Sequence, residues 1–276
     1  MNIEDIKLFV ADLDGTLIEK GENILPFGKK ALEYMHSKGV KIVPATGRPL
    51  DKRIIERSKS WDLSFPFDYV IGMNGGDLYE AQTEKTDHFC ILKKEYVRKI
   101  VDFLDPLDVS YELYLDGYEK IIVNRIDDRL RESMRRNLSN LVIVPKEEFY
   151  KYDTGKIEVA YKDSVKDELM KVVEANRDPH YASVITFPGT IEFMDPGINK
   201  GVALSKIQER LGIKPENTIA CGDMENDIPL FKYAGLSICL KNGSDATKAA
   251  ADAVTDYTVN EDGLGRYLCE KVLHIQ

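Results

Sequence analysis

Short apolar segments alternate with stretches of helical spacing at both ends of this 276-residue chain, and no other feature constrains the fold as much. Near the N-terminus, strand-like runs at 8–13, 40–45 and 69–73 are separated by helix-compatible stretches. Near the C-terminus, helical spacing at Leu204, Ile207 and Leu211 precedes strand-like runs at 218–221 and 237–240. Strands that alternate with helices pair in parallel and carry the helices on the faces of the sheet. The sequence therefore predicts an α/β core.

The middle of the chain has a different pattern. Residues 111–115 alternate between apolar and polar, Asp116 and Gly117 mark a turn, and residues 120–123 are again strand-like. Two strands joined by a short turn form a hairpin, so this region is expected to contain antiparallel strands. We predict an α+β domain inserted into the core. The predicted division is 1–79 for the N-terminal part of the core, 80–192 for the inserted domain and 193–276 for the C-terminal part of the core.

Composition and charge narrow the classes of function. The formal net charge is −9, and Lys and Arg are mixed with Asp and Glu along the chain. No basic stripe is visible, so a nucleic-acid partner is not expected. An acidic protein that handles an anion needs a metal ion or a few placed cations. The four cysteines form no CxxC pair, so neither a disulfide framework nor a zinc site is expected. The acidic N-terminus resembles no signal peptide, and no apolar run is long enough to span a membrane. The expected location is cytoplasmic, with no membrane partner.

The first motif follows the first predicted strand. Asp12 and Asp14 are separated by one residue, and Gly15 allows the backbone to curl after the strand. Ligands in open α/β sheets bind beyond the carboxyl ends of the strands. Two close carboxylates repel each other unless a cation lies between them or one is protonated, and Mg²⁺ prefers carboxylate, phosphate and water oxygens. The pair indicates a metal-assisted phosphoryl site, although solvated acids in a turn give the same pattern.

Two further segments follow strand-like runs. Thr46 and Gly47 stand between a strand and a helix start, where a hydroxyl and backbone N–H groups favour phosphate. An ordinary N-cap threonine is the alternative. Asn74 comes before two glycines after the next strand, either at the same rim or in a simple turn.

The C-terminal segments supply a cation and more acids. Lys200 begins a predicted helix, where its positive charge is unfavourable for the helix dipole. Contact with a phosphate would explain a lysine at this position, and an ordinary surface lysine is the alternative. Asp223, Asn226 and Asp227 follow a strand and Gly222. They suit a divalent ion and a phosphate, while an acidic first helical turn is the ordinary alternative.

In this order and at these strand ends, the segments DLDGT, ATGR, NKG and GDMEND resemble the four motifs of the haloacid dehalogenase-like (HAD) superfamily. The form of the last motif and the long insertion resemble the Cof-type subfamily with a C2B cap. The resemblance covers nearly the whole chain. It implies a Rossmann-like parallel-sheet core with an inserted α+β cap of the C2 type. Asn-Gly-Gly at 74–76 stands where Asn-Gly-Ala is common, and Pro229 follows the fourth motif.

The resemblance also implies a role for each matching residue. Asp12 would attack phosphorus and form an aspartyl-phosphate, and Asp14 would protonate the leaving oxygen and later deprotonate water. Magnesium would be held by Asp12, by the backbone carbonyl of Asp14 and by Asp223, while Asp227 would orient bound water. Phosphoryl oxygens would be held by Thr46, Gly47, Lys200 and Asn226.

The expected function is a Mg²⁺-dependent phosphatase acting on small phosphorylated metabolites such as sugar phosphates, that is, a phosphoric monoester hydrolase. A sugar phosphomutase or phosphotransferase of the same superfamily is the first alternative. A non-catalytic ligand sensor is the second, although a binder needs no acid/base residue. The inserted domain is expected to determine the substrate. Its candidates for lining the cleft are Tyr111, Tyr114, Tyr118, Phe187 and Glu192. The sequence predicts no oligomeric state.

Overall fold

The computed structural model describes residues 2–19, 23–116, 120–128, 130–131, 140–187 and 189–275. The strands among them are β1 Leu8–Asp12, β2 Lys41–Ala45, β3 Tyr69–Gly72, β4 Asp77–Glu80, β5 Lys85–His88, β6 Ser110–Asp116, β7 Lys120–Val123, β8 Leu141–Ile143, β9 Lys156–Ala160, β10 Ala182–Phe187, β11 Thr190–Met194, β12 Thr218–Gly222, β13 Leu236–Cys239 and β14 Ala253–Val254.

The α-helices among the described residues are α1 Pro26–Ser37, α2 Lys52–Ile55, α3 Arg57–Ser60, α4 Lys94–Leu104, α5 Lys146–Phe149, α6 Asp163–Ala175, α7 Lys200–Leu211, α8 Ile228–Phe231, α9 Asp245–Ala250 and α10 Gly263–Tyr267. Short 3₁₀ helices cover Ile3–Asp5, Met73–Gly75, Pro215–Asn217, Glu225–Asp227 and Val259–Glu261, and a π-helical turn covers Leu268–Val272. Within the described part of the chain, no helix is both long and apolar enough to cross a membrane.

The chain divides into two compact units. The first, the core unit, combines Met1–Asp87 with Asn199–Gln276, and the second, the inserted unit, is His88–Ile198. The boundaries between these units lie at 87/88 and 198/199, whereas the boundaries predicted from the sequence are 79/80 and 192/193. The difference at the first boundary arises from β5, which joins the core sheet beside β4. The polar, mostly exposed residues of β5 give no apolar signal that would assign this strand to the core.

The core unit is built on an eight-stranded sheet in the order β14-β13-β12-β1-β2-β3-β4-β5. The strands from β14 to β3 pair in parallel, and β3 pairs with β4 in antiparallel orientation. All five residues of β1 are buried, which is expected for a central strand of a parallel sheet that is covered on both faces. The predicted α/β class with a parallel-sheet core is therefore confirmed.

Specific capping groups, some of them from distant segments, fix the helix ends in the core unit. Helix α7 ends at Gly212, which has a φ of 64° in the left-handed region that C-terminal caps use. The helix-compatible stretch over 49–58 becomes the two short helices α2 and α3. Asp51 caps α2 by accepting a hydrogen bond from the Ile54 N–H, so the first helix begins after Asp51. Helix α1 is capped from a distant segment, because Asp262 accepts from the N–H groups of Phe27 and Gly28.

The inserted unit contains a six-stranded sheet in the order β10-β11-β9-β6-β7-β8. The β6–β7 pair is antiparallel, as the predicted hairpin requires, and β7 pairs in parallel with β8. One face of the sheet, including Leu113, Val159 and Phe193, shares a core with α4 and α6. On the other face, the strand register aligns Glu112, Glu158 and Glu192 across β6, β9 and β11.

Candidate active site

The predicted site residues lie after four neighbouring parallel strands. The strands β12, β1, β2 and β3 are adjacent in the sheet and run in the same direction. Their carboxyl ends therefore meet at one edge, which is where open α/β sheets bind ligands. Asp223 follows β12, Asp12 ends β1, Thr46 follows β2, and Asn74 lies two residues after β3.

A buried lysine links two of the acids. The Nζ atom of Lys200 donates to Oδ1 of Asp12 at 2.5 Å and to Oδ1 of Asp227 at 2.6 Å. Lys200 is 0% exposed, which excludes the alternative interpretation of Lys200 as a surface lysine. The side chain of Asn199 caps α7 by accepting from the Val202 N–H, which fixes the start of the helix that carries Lys200. Oδ2 of Asp12 accepts no hydrogen bond from the described residues.

The other two acids are fixed by the loop after β12. Oδ2 of Asp227 accepts from the backbone N–H groups of Asp223 (3.0 Å) and Met224 (3.1 Å). Asp223 accepts on Oδ1 from the hydroxyl of Thr16 at 2.9 Å. Asp227 thus has both oxygens bound by the protein, whereas Asp223 offers Oδ2 toward the space beside Gly15.

Asp12, Asp223 and Asp227, with Lys200, form what we call the core carboxylate cluster. One ligand oxygen from each acid lies within 4.8 Å of the others, and all three acids are buried. With all three acids ionised, the three carboxylates and the Lys200 ammonium carry two net negative charges, the charge that one divalent cation cancels. Carboxylate oxygens are the ligands that Mg²⁺ prefers, so the residues present fit this ion.

Proton affinities reflect this excess of negative charge. Burial raises the pKa of Asp12 well above its ordinary value, with Lys200 opposing and the neighbouring carboxylates adding to the effect. Burial and the charge of Asp227 raise the pKa of Asp223 to about 7. Burial alone would lower the pKa of Lys200, but the charges of Asp12 and Asp227 outweigh it and raise this pKa. Lys200 therefore stays protonated.

Gly15 allows the two acidic loops to approach each other. Its φ is +93°, and a Cβ atom there would lie 2.4 Å from Oδ2 of Asp223. Any L-residue with a side chain would be strained in this conformation and would also collide with the carboxylate. The glycine of the DLDGT segment thus permits the close approach of the loops after β1 and β12.

Asp14 has a different partner from the other acids. Nε of Arg48 donates to Oδ2 of Asp14 at 2.8 Å, and its NH2 group donates to Oδ1. This is the two-bond geometry by which a guanidinium recognises a carboxylate. Both Asp14 oxygens are therefore bound to Arg48, and the Asp14 side chain is not among the three converging ligands. The role that the resemblance gives Asp14 at the metal uses its backbone carbonyl and not this side chain.

The predicted phosphate-binding residues come together at the ends of β2 and β3. Thr46 is buried, its hydroxyl accepts from the Arg48 N–H at 3.2 Å, and its carbonyl accepts from the Asn74 N–H at 3.1 Å. A Cβ on Gly47 would lie 2.9 Å from Oδ1 of Asn74, so Gly47 lies directly against this amide. Nδ2 of Asn226 donates to the same Asn74 oxygen at 3.0 Å. Asn74 thus links Gly47 to Asn226.

Sequence reasoning gave no role to two residues that the geometry places at the site. Arg48 stood in the quoted ATGR segment without an assignment, and Thr16 stood in DLDGT. The signal for Arg48 was its position directly after Thr46 and Gly47 at a helix start. Its partner, 34 positions earlier in the chain, could be recognised only after the strand order was known.

The inserted unit distributes its candidate residues between both faces of its sheet. Tyr111 belongs to the apolar core of the unit, and its hydroxyl donates to Asp105. Tyr114 and Glu192 lie on the polar face. Phe187 is in β10, with no description of its side chain, and Tyr118 lies outside the described residues.

A family model for haloacid dehalogenase-like hydrolases matches residues 9–268. A 5-amino-6-(5-phospho-D-ribitylamino)uracil phosphatase of Bacillus subtilis is 28% identical over 269 residues, which cover 98% of this chain and 97% of that protein. A putative phosphatase of Mycoplasma pneumoniae is 28% identical over 277 residues, with 95% and 96% covered.

The fold comparison gives the same result. The solved structure of a HAD subclass IIB sugar phosphatase matches with a TM-score of 0.80 at 25% identity, and the match covers 96% of this chain and 98% of that chain. The chain therefore belongs to the haloacid dehalogenase-like hydrolases and is one of their phosphatases, a phosphoric monoester hydrolase.

Proposed function

We propose that this enzyme is a Mg²⁺-dependent phosphatase of small phosphorylated metabolites, and that it works through an aspartyl-phosphate on Asp12. The observation that supports the proposal most strongly is the core carboxylate cluster. It combines a buried nucleophile candidate, an ammonium bonded to that nucleophile and two uncompensated negative charges. A non-catalytic binding site for a phosphate anion would not need such an excess of buried negative charge.

In the proposed first step, a carboxylate oxygen of Asp12 attacks phosphorus and the ester oxygen leaves. The new P–O bond to Asp12 forms as the P–O bond to the leaving group breaks. Lys200 orients Asp12 and neutralises charge on the phosphoryl oxygens. Thr46, Gly47 and Asn226 would hold those oxygens at the ends of β2 and β12. In the second step, water hydrolyses the aspartyl-phosphate and releases inorganic phosphate.

The proposed magnesium ligands are the carboxylates of Asp12 and Asp223 and the backbone carbonyl of Asp14. Asp227 is proposed to support this site without binding the ion directly. When bound, the ion neutralises phosphate charge and orients the phosphoryl group for in-line displacement. Asp227 positions the site because it binds Lys200 and two backbone N–H groups of the loop that carries Asp223. Asp223 supplies the oxygen that the protein leaves available.

Asp14 is proposed to donate a proton to the leaving group and then to accept one from water. Arg48 pairs with the ionised carboxylate, the form that the second step needs. For the first step, Asp14 must carry a proton, so at least one of the two Arg48 hydrogen bonds must open. Arg48 is therefore proposed as a positioning residue that holds Asp14 ready between turnovers.

The substrate class that we propose is a phosphate monoester on a small polyhydroxylated molecule. The support comes from relatives that act on a phosphoribitylamino-uracil and on sugar phosphates. Phosphate release from a panel that contains hexose phosphates, pentose phosphates, 5-amino-6-(5-phospho-D-ribitylamino)uracil and p-nitrophenyl phosphate, with and without Mg²⁺, tests the proposal. We expect Mg²⁺-dependent release from at least one metabolite.

Two outcomes would contradict the proposal. Full phosphate release after exhaustive treatment with EDTA would remove the magnesium requirement. Conversion of a hexose 1-phosphate to the 6-phosphate without release of phosphate would favour the phosphomutase alternative, in which a sugar hydroxyl replaces water as the acceptor.

A further inference from the structure

The segment after β13 is bonded to both of the loops that carry the proposed metal ligands. Nδ2 of Asn242 donates to the backbone carbonyl of Gly15 at 2.8 Å. Two residues later, the N–H of Ser244 donates to the carbonyl of Asp223 at 2.9 Å. In the sheet, β13 is next to β12, and β12 is next to β1. This short segment therefore ties together the loops after β1 and β12.

Asn242 is also held on its other side. Its Oδ1 accepts from the N–H of Val259 at 2.9 Å, at the start of a 3₁₀ helix. The Asn242 amide thus donates to Gly15 and accepts from Val259, whereas an apolar side chain of similar size forms neither hydrogen bond. This double anchoring fixes the direction of the Gly15 carbonyl.

The Gly15 carbonyl is close to two groups of the proposed metal site. Gly15 directly follows Asp14, whose backbone carbonyl is a proposed ligand. Gly15 also precedes Thr16, whose hydroxyl donates to Oδ1 of Asp223. A rotation of the peptide between Gly15 and Thr16 would move the Thr16 hydroxyl and disturb the backbone beside Asp14. The orientation of both proposed ligands therefore depends on this peptide.

We propose that Asn242 is a positioning residue for the divalent-ion site, and that its hydrogen bond to Gly15 sets the spacing between the Asp14 carbonyl and the Asp223 carboxylate. This inference rests on the proposed Mg²⁺ dependence. Asn242 acts through the loop backbone, so its removal changes the affinity for the metal more than it changes the chemical step. Residues that orient metal ligands typically contribute about 10- to 100-fold to metal affinity or activity.

Asn217 offers a matched control. Its Nδ2 also donates to a backbone carbonyl, that of Asp5, at 2.7 Å, but it lies before β12 at the opposite end of the strand. The variants are Asn242→Leu and Asn217→Leu, which are both neutral and lose the same kind of hydrogen bond. Asn242→Ser is a second, smaller variant at an exposed position, and its side chain is too short to bridge Gly15 and Val259.

The experiment measures Mg²⁺ binding to the metal-free full chain by isothermal titration calorimetry, together with kcat at saturating Mg²⁺. We expect both Asn242 variants to bind Mg²⁺ roughly tenfold more weakly, with kcat within about threefold of wild type and with Asn217→Leu unchanged. Wild-type affinity in a folded Asn242 variant, or an equal loss in Asn217→Leu, overturns the inference. If the wild-type protein itself binds no Mg²⁺, the proposed function fails instead.

Discussion

The core unit and the inserted unit each bring three acids together with one buried lysine, but they arrange them differently. The core carboxylate cluster has three acids and a lysine. The inserted unit has Glu112, Glu158 and Glu192 with Lys156 and Tyr114, which we call the glutamate row. In the core, Asp12 ends β1, and Asp223 and Asp227 both lie in the segment after β12. In the glutamate row they are direct cross-strand neighbours, since Glu158 is paired in register with both Glu112 and Glu192.

Like charges directly opposite each other destabilise a sheet unless other groups offset them. Lys156 lies 2.6 Å from Glu192 and 3.3 Å from Glu158. The hydroxyl of Tyr114 lies 2.8 Å from Glu112 and 3.1 Å from Glu158, so it can donate to either acid. Burial and the charge of Glu158 raise the pKa of Glu112 to about 8. Burial also raises the pKa of Glu192, with Lys156 opposing.

The difference between the two sets is the convergence of their acids, not the number of acids. Among the described residues, one group of three acidic ligand atoms converges, and it is the core carboxylate cluster. In the glutamate row, an ammonium and a phenol bridge the carboxylates along the sheet. The converging acids of the core fit a divalent cation, whereas the acids of the glutamate row are already bridged by Lys156 and Tyr114.

The largest expected effect on turnover comes from replacing one acid of each set by its amide. Asp12→Asn should lower turnover by roughly 10⁴-fold or more, because an amide oxygen is a poor nucleophile. Glu158→Gln in the glutamate row should keep turnover within about tenfold. Steady-state hydrolysis of p-nitrophenyl phosphate with Mg²⁺ measures both. An Asp12→Asn enzyme with wild-type turnover would remove the chemical distinction between the two regions.

The two buried lysines give the next comparison. Lys200→Met and Lys156→Met each leave buried carboxylates without their ammonium, which typically costs about 3–5 kcal/mol of stability. Only Lys200→Met should also lower kcat, by roughly 10²- to 10³-fold, because Lys200 is bonded to the proposed nucleophile. Thermal unfolding and kcat at a temperature where both variants are folded would test this. Equal losses of kcat would mean that Lys200 is a structural group only.

A smaller effect is expected at the arginine that holds Asp14. Arg48→Lys cannot reproduce the two-bond pairing, so kcat should fall by roughly tenfold or more. Arg53→Lys is the control, since Arg53 pairs with Asp51 on the exposed start of α2. The loss should be larger with an alkyl phosphate than with p-nitrophenyl phosphate, because protonation by Asp14 matters most for a poor leaving group. The same loss with both substrates would argue against this role.

The smallest effect concerns stability and belongs to the glutamate row. The pKa of Glu112 is raised from 4.5 to about 8, so the folded state keeps a proton that the unfolded state releases between these pH values. Stability should therefore fall as pH rises through this window, by at most about 1.4 kcal/mol per pH unit. Glu112→Gln should flatten that fall. Melting temperatures between pH 5 and pH 8 measure it, and parallel curves for both proteins would contradict the shifted pKa.

Local sequence patterns predicted the core strands and their ends well, because a buried parallel strand is a short apolar run followed by polar residues. Strand β1 with Asp12 and strand β12 with Asp223 both have this pattern. The polar strand β5 lacks this pattern, and it falls inside the predicted insertion, which begins at residue 80. Helix α4 buries Val97, Ile100, Val101 and Leu104 at helical spacing, so local sequence also indicates this helix.

Contacts between distant segments could not be predicted in the same way. The Asp14–Arg48 pair, the hydrogen bond from Asn242 to Gly15 and the glutamate row depend on strand order and register. Each of these features joins residues whose local sequence suits many other environments. The motifs therefore indicated which chemistry to expect, whereas the fold shows which distant residues contact the motif residues.

The central claim is that Asp12 becomes phosphorylated, and the Asp14→Asn variant tests it most directly. The variant keeps the backbone carbonyl of Asp14 and leaves Asp12 able to attack. With p-nitrophenyl phosphate, the first step needs little protonation, but the second step lacks its base, so the aspartyl-phosphate should accumulate. Mass spectrometry of the acid-quenched variant should find one added phosphoryl group on the peptide that contains Asp12. A phosphoryl group on a Ser, Thr or His elsewhere in the chain would contradict the account.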